Sequence, residues 1–422
     1  MWHAALHLVG LLPLDISTWP NRSHNENPSM KPQNALACML SVFALLHGAA
    51  RAAACDAPVG RDFASTPLDK SKLSATALLK LNQEIDNAGY DVRALLILQG
   101  CQLVFERYKK GVDRDDTHAL YSVTKSLTGT LVGRLLKEGK IASLDVPLAT
   151  LIRRPLFVAD ADWEKLQAIR LEDAMRLRSG FQWKHDVKGG NPVHGFRADM
   201  LRDGIKLPLV EKPGAKFNYS DYDAALVGFA VGDILQRDLP DAAQVLLYEP
   251  MKIPRIGWDF KDRAGRYSGG FGSRLRPMDM LKIGQLYLQR GVWNDAQLLS
   301  PEFVKLSMPM DGPHEGGYGL MWWVGKNTDV GDMRFFFANG RKTQRLYVFP
   351  EWDMVVALVA SLQPEDDQLL ARPLIRSLRA AIDGGSQDQD ALKKLEQLTA
   401  AGFNGAKSAA ERIDAPRKPS AP

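Results

Sequence analysis

Apolar positions recur along this chain with two different periods. Between residues 71 and 88, Leu73, Leu78, Leu79, Leu81 and Ile85 fall on or near one face of a 3.6-residue repeat, which predicts a helix. Residues 91–98 and 102–108 then read as two strands, with Gly100-Cys101 as the hairpin turn between them. Leu127, Leu131, Val132, Leu135 and Leu136 return to the rhythm of a buried helix face, which ends near Gly139. Residues 140–265 carry mostly helical patterns, broken by Pro147, Pro155, Pro192, Pro208, Pro213 and Pro254. Helices are expected again over 277–290 and 301–308. Strand-like runs follow at 318–325, 333–338, 344–349 and 353–361, and a last helix spans about 364–383.

Strands near both ends with helices between them predict an α+β chain with a composite sheet. The N-terminal hairpin would join the C-terminal strands, and the terminal helices would cover one face. On this reading the main domain spans 55–383, its sheet-bearing part about 70–135 and 266–383, with a helical insertion at about 140–265. Residues 384–422 turn polar after Gly384-Gly385 and are expected to be disordered, with a short helix at 390–400.

The N-terminus reads as an over-extended start followed by an export signal, together residues 1–54. Lys31 precedes the apolar run Ala35–Ala50, which is short for a membrane span, and Ala52-Ala53-Ala54 supplies small residues for cleavage. Met30 opens this unit. The expected location is periplasmic or secreted, with no membrane span once the signal is removed. Ala54-Cys55 matches a lipidation site less well, because Ala52 stands where leucine is usual. Of the three cysteines, Cys38 falls in the signal. Cys55 and Cys101 remain, and an oxidising compartment favours their pairing over two unpaired thiols.

The chain has 422 residues, 45% hydrophobic and 24% charged, with a net charge of +5. Those are ordinary values for a globular protein. No dense Lys/Arg cluster interleaves with aromatics, so a nucleic-acid partner is not expected. His118, His185, His194 and His314 show no ligand spacing, and no metal or organic cofactor is called for.

The candidate chemistry begins at Tyr121-Ser122-Val123-Thr124-Lys125-Ser126. Ser122 and Lys125, three positions apart, share one face of a helix. A serine hydroxyl is a weak nucleophile until a neighbour takes its proton, and a lysine can tune or perform that step. The commoner meaning of the spacing is a capping serine with a solvated lysine. Farther on, Pro213-Gly214 makes a turn before Lys216-Phe217-Asn218-Tyr219-Ser220-Asp221, with a helix from about Tyr222 to Ile234. Tyr219 can present its phenol to a cleft as a general base, or pack as an ordinary aromatic.

Taken together these motifs resemble the serine β-lactamase-related family, which includes class C β-lactamases, D,D-peptidases, family VIII-type esterases and 6-aminohexanoate-dimer hydrolases. The first motif is S-V-T-K at Ser122–Lys125. The second, Y-x-N in the family, stands here as Tyr219-Ser220-Asp221. Framework matches include Ser179-Gly180, Pro213-Gly214, Gly269-Gly270-Phe271-Gly272-Ser273, Arg276-Pro277-Met278-Asp279-Met280 and Tyr318-Gly319-Leu320-Met321-Trp322-Trp323. The likeness covers about residues 75–380. It implies a β-lactamase/transpeptidase-like fold: an antiparallel sheet flanked by helices, with a mostly helical inserted domain.

Two departures stand out. Asp221 replaces asparagine, and a carboxylate only accepts hydrogen bonds where an amide also donates. A second frame sets Ser220-Asp221-Tyr222 against S-D-N, but the Pro-Gly-x-x-Phe context favours Tyr219. The third motif, Lys or His, a small residue and Gly, is expected after Gly340 as Arg341-Lys342-Thr343, framed by Gln344 and Pro350. Arg341 then stands for the cation and Thr343 for the glycine. The oxyanion hole would combine the backbone N–H of Ser122 with one near Thr343.

The resemblance implies an exported serine hydrolase that forms an acyl-enzyme on Ser122, with Lys125 and Tyr219 moving the proton. Its substrate would be a small molecule or short peptide: an ester, a linear amide or a D-amino-acid peptide. β-Lactams fit less well, given the altered third motif. The competing reading is a binding or sensor protein with weak turnover on the same scaffold. An α/β-hydrolase is excluded, because no G-x-S-x-G elbow occurs and His314 is the last histidine. Trp183, His185 and Trp322-Trp323 are equally readable as core or as pocket wall. Sequence leaves the oligomeric state open.

Overall fold

The computed structural model describes residues 61–184, 198–255, 257–309, 317–326, 333–384 and 388–406. Helix α1 (Ala75–Ala88) begins after Ser74, whose side chain accepts from the Ala77 N–H. It ends at Gly89, which adopts the left-handed conformation that closes helices. Strands β1 (Val92–Gln99) and β2 (Gln102–Tyr108) follow, turned at Gly100 and Cys101, both at positive φ.

Helix α2 (Val123–Lys137) and helix α3 (Asp221–Leu235) are the long helices of the next stretch. Short helices lie between and after them, at Leu148–Leu151, Asp160–Ala168, Leu171–Met175, Met200–Gly204 and Leu239–Ala243. Helix α4 (Pro277–Leu288) and the strands β3 (Gly317–Tyr318), β4 (Trp323–Lys326), β5 (Arg334–Gly340), β6 (Gln344–Phe349) and β7 (Met354–Ala360) come next. Helices α5 (Pro364–Asp383) and α6 (Gln389–Ala401) close the described chain.

The strands form one seven-stranded sheet in the order β2-β1-β7-β6-β5-β4-β3. Each of its pairings is antiparallel. The N-terminal hairpin thus joins the C-terminal strands, with Ile97 opposite Val356 and Leu98 opposite Val355. This is the α+β architecture the strand pattern predicts.

Alternation along the strands divides the core in two. Leu96, Leu98, Leu346, Val348, Val355 and Ala357 face a cluster shared with α2, α3 and α4. Leu95, Ile97, Tyr347, Phe349, Val356 and Leu358 face a second cluster with α1, α5 and α6. Strand β7 is buried along its whole length, which explains why MVVALVA reads as an unbroken apolar run.

Two expectations change. The run at 318–325 is not one strand: β3 and β4 are separate and antiparallel. Met321 takes a positive φ, and the Gly319 N–H donates to Trp322 O (2.8 Å). Gly319 packs so tightly that a Cβ would lie 2.0 Å from Ser307 O, so the chain turns there. The expectation of a disordered tail also changes, although the short helix expected at 390–400 is present. Helix α6 covers 389–401 and buries Ala391 and Leu395, while Phe403 is fully buried under the Arg107 guanidinium, 4.0 Å from its ring centre. Arg107 also donates to Gly402 O (2.9 Å). The tail is anchored by a few apolar and backbone contacts that mean polarity hides. Residues 1–60, which include the expected export signal, and residues 407–422 lie outside the described residues.

Candidate active site

Ser122 sits at the mouth of α2 but does not cap it: its side chain makes no capping hydrogen bond. Tyr121, just before it, has a φ of 48°, an unfavourable region for a bulky residue. The serine is therefore presented by a tight turn into a helix, with its hydroxyl left for other partners.

One turn on, Lys125 is 1% exposed. Its Nζ donates to Ser122 Oγ at 3.2 Å, to Gly270 O at 3.1 Å, and to Asp221 Oδ1 in a short ion pair. The Tyr219 ring centre lies 4.8 Å from the same nitrogen. Burial alone would depress this ammonium. The charge of Asp221, with Tyr219 and the hydrogen bonds both make, outweighs it and holds the Lys125 pKa above its ordinary value.

Several polar side chains on α2 build this arrangement. Thr124 Oγ1 and Ser273 Oγ share a 2.7 Å hydrogen bond, and the Ser273 N–H donates back to Thr124 Oγ1 (3.2 Å). Thr128 Oγ1 donates to Gly269 O (2.9 Å). The loop 269–273 is thereby strapped along α2, which places the Gly270 carbonyl over Lys125. Ser126 Oγ is engaged elsewhere, donating to Met321 O (2.6 Å).

Helix α3 delivers the second motif. Ser220 caps it, accepting from the Asp223 N–H (3.0 Å). Asp221 begins its first turn, and Tyr219 precedes the cap. The Tyr219 ring stacks on Trp323 (5.5 Å between centres, 23° between planes). Trp323 in turn meets Tyr318 edge-on at 5.0 Å and Phe217 at 6.0 Å. Tyr222, the residue of the second frame, is instead fully buried and packs against Phe181 and Trp183. Below the cap, Asp223 is buried and accepts from the Ser179 N–H (3.1 Å) and hydroxyl (2.7 Å). Burial pushes its carboxyl up to about 6.

The third-motif residues are divided. Gly340 ends β5 against the segment before Ser122; a Cβ there would fall 2.3 Å from Leu120 O. Arg341 is exposed on the β5–β6 turn. Lys342, at positive φ, holds its ammonium 6.0 Å from the Tyr121 ring centre. Thr343, also at positive φ, is buried, and its hydroxyl finds no partner among the described residues. Gln344 Nε2 donates to Lys342 O (3.1 Å) and Ala360 O (2.6 Å), which fixes the turn.

Trp183 and Trp322 are core residues, whereas Trp323 is half-buried beside Tyr219. His185 lies outside the described residues. Cys101 is disulfide-bonded; Cys55 lies outside the described residues. Among the described residues no group of three or more His, Cys, Asp or Glu is placed to hold a metal ion.

Sequence reasoning missed the Gly270 carbonyl, the Thr124–Ser273 and Thr128–Gly269 straps, and Asp223 with Ser179. A signal for the straps existed: Thr124, Ser126, Thr128 and Thr130 are polar residues inside an apolar helix pattern.

Residues 92–380 match the family model described as Beta-lactamase. The chain is 24% identical over 322 residues to the 6-aminohexanoate-dimer hydrolase of Paenarthrobacter ureafaciens, covering 71% of this chain and 80% of that protein. Among solved structures it resembles EstCE1, a hydrolase with promiscuous acyltransferase activity, with a TM-score of 0.57 and 14% identity over 73% of this chain and 99% of that one. It also resembles a D-stereospecific amidohydrolase from Streptomyces sp., with a TM-score of 0.53 and 15% identity over 72% and 98% of the two chains. With the family model matched over most of the chain, on the sheet-and-helix framework described above, this protein belongs to the Beta-lactamase family.

Proposed function

We propose that this chain is an exported serine hydrolase that cleaves an ester or amide through an acyl-enzyme on Ser122. The observation that carries the reading is the 3.2 Å contact between Ser122 Oγ and the buried Lys125 ammonium, with Tyr219 beside the same nitrogen. Ser122 Oγ attacks the substrate carbonyl carbon, and the carbonyl oxygen takes up the negative charge. Backbone N–H groups of Ser122 and of the chain near Gly340 and Thr343 are the candidate donors to that oxyanion. The Lys125–Tyr219 pair moves the serine proton to the leaving oxygen or nitrogen as its bond to carbon breaks. Water then repeats the sequence on the ester of Ser122 and releases the acid.

The aromatic surface formed by Trp323, Tyr318 and Phe217 next to Tyr219 suits an apolar or aryl portion of a small ester or amide. Export is supported by the apolar run Ala35–Ala50 and the small residues Ala52–Ala54. No helix among the described residues is long and apolar enough to cross a membrane.

The test uses a fluorophosphonate probe together with p-nitrophenyl acetate and butyrate. The wild type should label at Ser122 and turn over both esters, and Ser122→Ala should do neither. Equal ester cleavage by wild type and Ser122→Ala rules the reading out. A rapid burst with no turnover selects the sensor protein instead.

A further inference from the structure

Position 221 is where this chain leaves the family's second motif, and the structure shows what the carboxylate touches. Asp221 is buried at the start of α3, and its Oδ1 faces Lys125 Nζ. A lysine ammonium carries three N–H donors and no acceptor. Lys125 donates to Ser122 Oγ, Gly270 O and Asp221 Oδ1, and it is hydrogen-bonded to Tyr219 as well. Of these Asp221 alone is a carboxylate, and the lysine it faces is 1% exposed. An asparagine here would offer an acceptor of the same shape without the charge.

We propose that Asp221 is a positioning residue that keeps Lys125 an ammonium with one N–H aimed at Ser122 Oγ. Lys125 then enters the reaction as a fixed cation and donor, and does not accept the Ser122 proton. This rests on the serine-hydrolase reading and divides the labour within it: proton movement at the Ser122 hydroxyl falls to Tyr219. It also separates this chain from relatives with asparagine at 221, whose amide can donate to a substrate carbonyl where this carboxylate only accepts and faces Lys125.

Other charged or titratable groups border the pair. Tyr219 lies against Lys125 from the loop before α3. Tyr318 on β3 feels the charges of Tyr219, Asp221 and Asp223. Lys342 lies over Tyr121 on the strand side. Among these groups Asp221 is the carboxylate that pairs directly with Nζ.

The experiment is an NMR titration of full-length protein carrying [13Cε]lysine, with the Lys125 signal assigned through Lys125→Met. In the wild type Lys125 should stay protonated beyond the ordinary lysine value of 10.5. In Asp221→Asn, burial acts without its counter-charge, and the midpoint should fall by about 1–3 pH units. The kcat/KM profile of Asp221→Asn should then acquire a descending alkaline limb at that lowered midpoint, which the wild type lacks. A wild-type Lys125 that titrates below 10.5 overturns the proposal. So does an Asp221→Asn enzyme whose activity holds or rises as Lys125 loses its proton. A purely structural role for Asp221 would lower the melting temperature and leave the Lys125 titration in place. Loss of the serine-hydrolase reading itself would show separately, as activity surviving in Ser122→Ala.

Discussion

Gly269 and Gly228 meet backbone to backbone. A Cβ on Gly269 would lie 2.9 Å from Gly228 Cα and 2.3 Å from Ala224 O, and one on Gly228 would lie 2.7 Å from Gly269 N. This contact lets α3 and the 269–273 loop close over Lys125 from two sides. Gly269→Ala has no flexible side chain to push aside and should cost about 1–3 kcal/mol through forced backbone movement. The melting temperature should drop and ester turnover should fall with it, as Gly270 O and Asp221 shift from Nζ. An unchanged melting temperature would mean that the close approach is not required.

Lys125 and Ser126 are adjacent, buried and differently engaged. Lys125→Ala should lower the rate of the acylation burst by about 10²-fold or more, the usual scale of a positioned proton-transfer or charge group. Ser126→Ala removes the donor to Met321 O and should destabilise the fold by about 1–3 kcal/mol. Its burst rate, measured well below its melting temperature, should stay within a few-fold of the wild type. Comparable loss of rate in both variants would show that the nucleophile has been assigned to the wrong hydroxyl.

Asp223 predicts a pH dependence of stability. Its carboxyl is raised from 3.8 to about 6 in the fold, chiefly by burial and against the lowering effect of Ser179 and Ser220. The folded state therefore binds this proton more tightly than the unfolded chain. The contribution is fully present below about pH 3.8 and is lost as pH rises through about 6. Its size is on the order of 3 kcal/mol. Asp223→Asn keeps a partner for Ser179 and cannot ionise, so denaturant midpoints of the variant relative to wild type should improve between pH 4 and pH 7. A constant difference across that range would contradict the assignment.

Tyr219 and Trp323 separate a hydroxyl effect from a stacking effect. Tyr219→Phe keeps the ring on Trp323 and should reduce kcat by about 10²-fold or more. Trp323→Ala removes a stacked partner and part of the aromatic surface. It should cost roughly 0.5–1.5 kcal/mol beyond lost burial, read mainly as a higher KM for aryl esters. The reverse ranking in kcat would make Tyr219 a packing residue.

Most of the strand and helix content could be read from the chain alone, because alternation and 3.6-residue periods are local. Strand β6 was legible at Gln344–Phe349 and helix α5 at Pro364–Asp383, and the hairpin at Gly100-Cys101 was marked by its turn residues. Ser122, Lys125 and Tyr219 were legible as chemistry-bearing types in order. What lies around them was not. Whether Ser122 caps its helix, whether Lys125 is paired, and which face Tyr222 takes depend on contacts between segments about a hundred residues apart. The same holds for the hairpin that splits 318–325 and for Phe403 beneath Arg107. Local pattern records which residues prefer burial. The partner that satisfies a buried ammonium, such as Asp221 or the carbonyl of Gly270, is chosen only when the backbones of α2, α3 and the 269–273 loop come together.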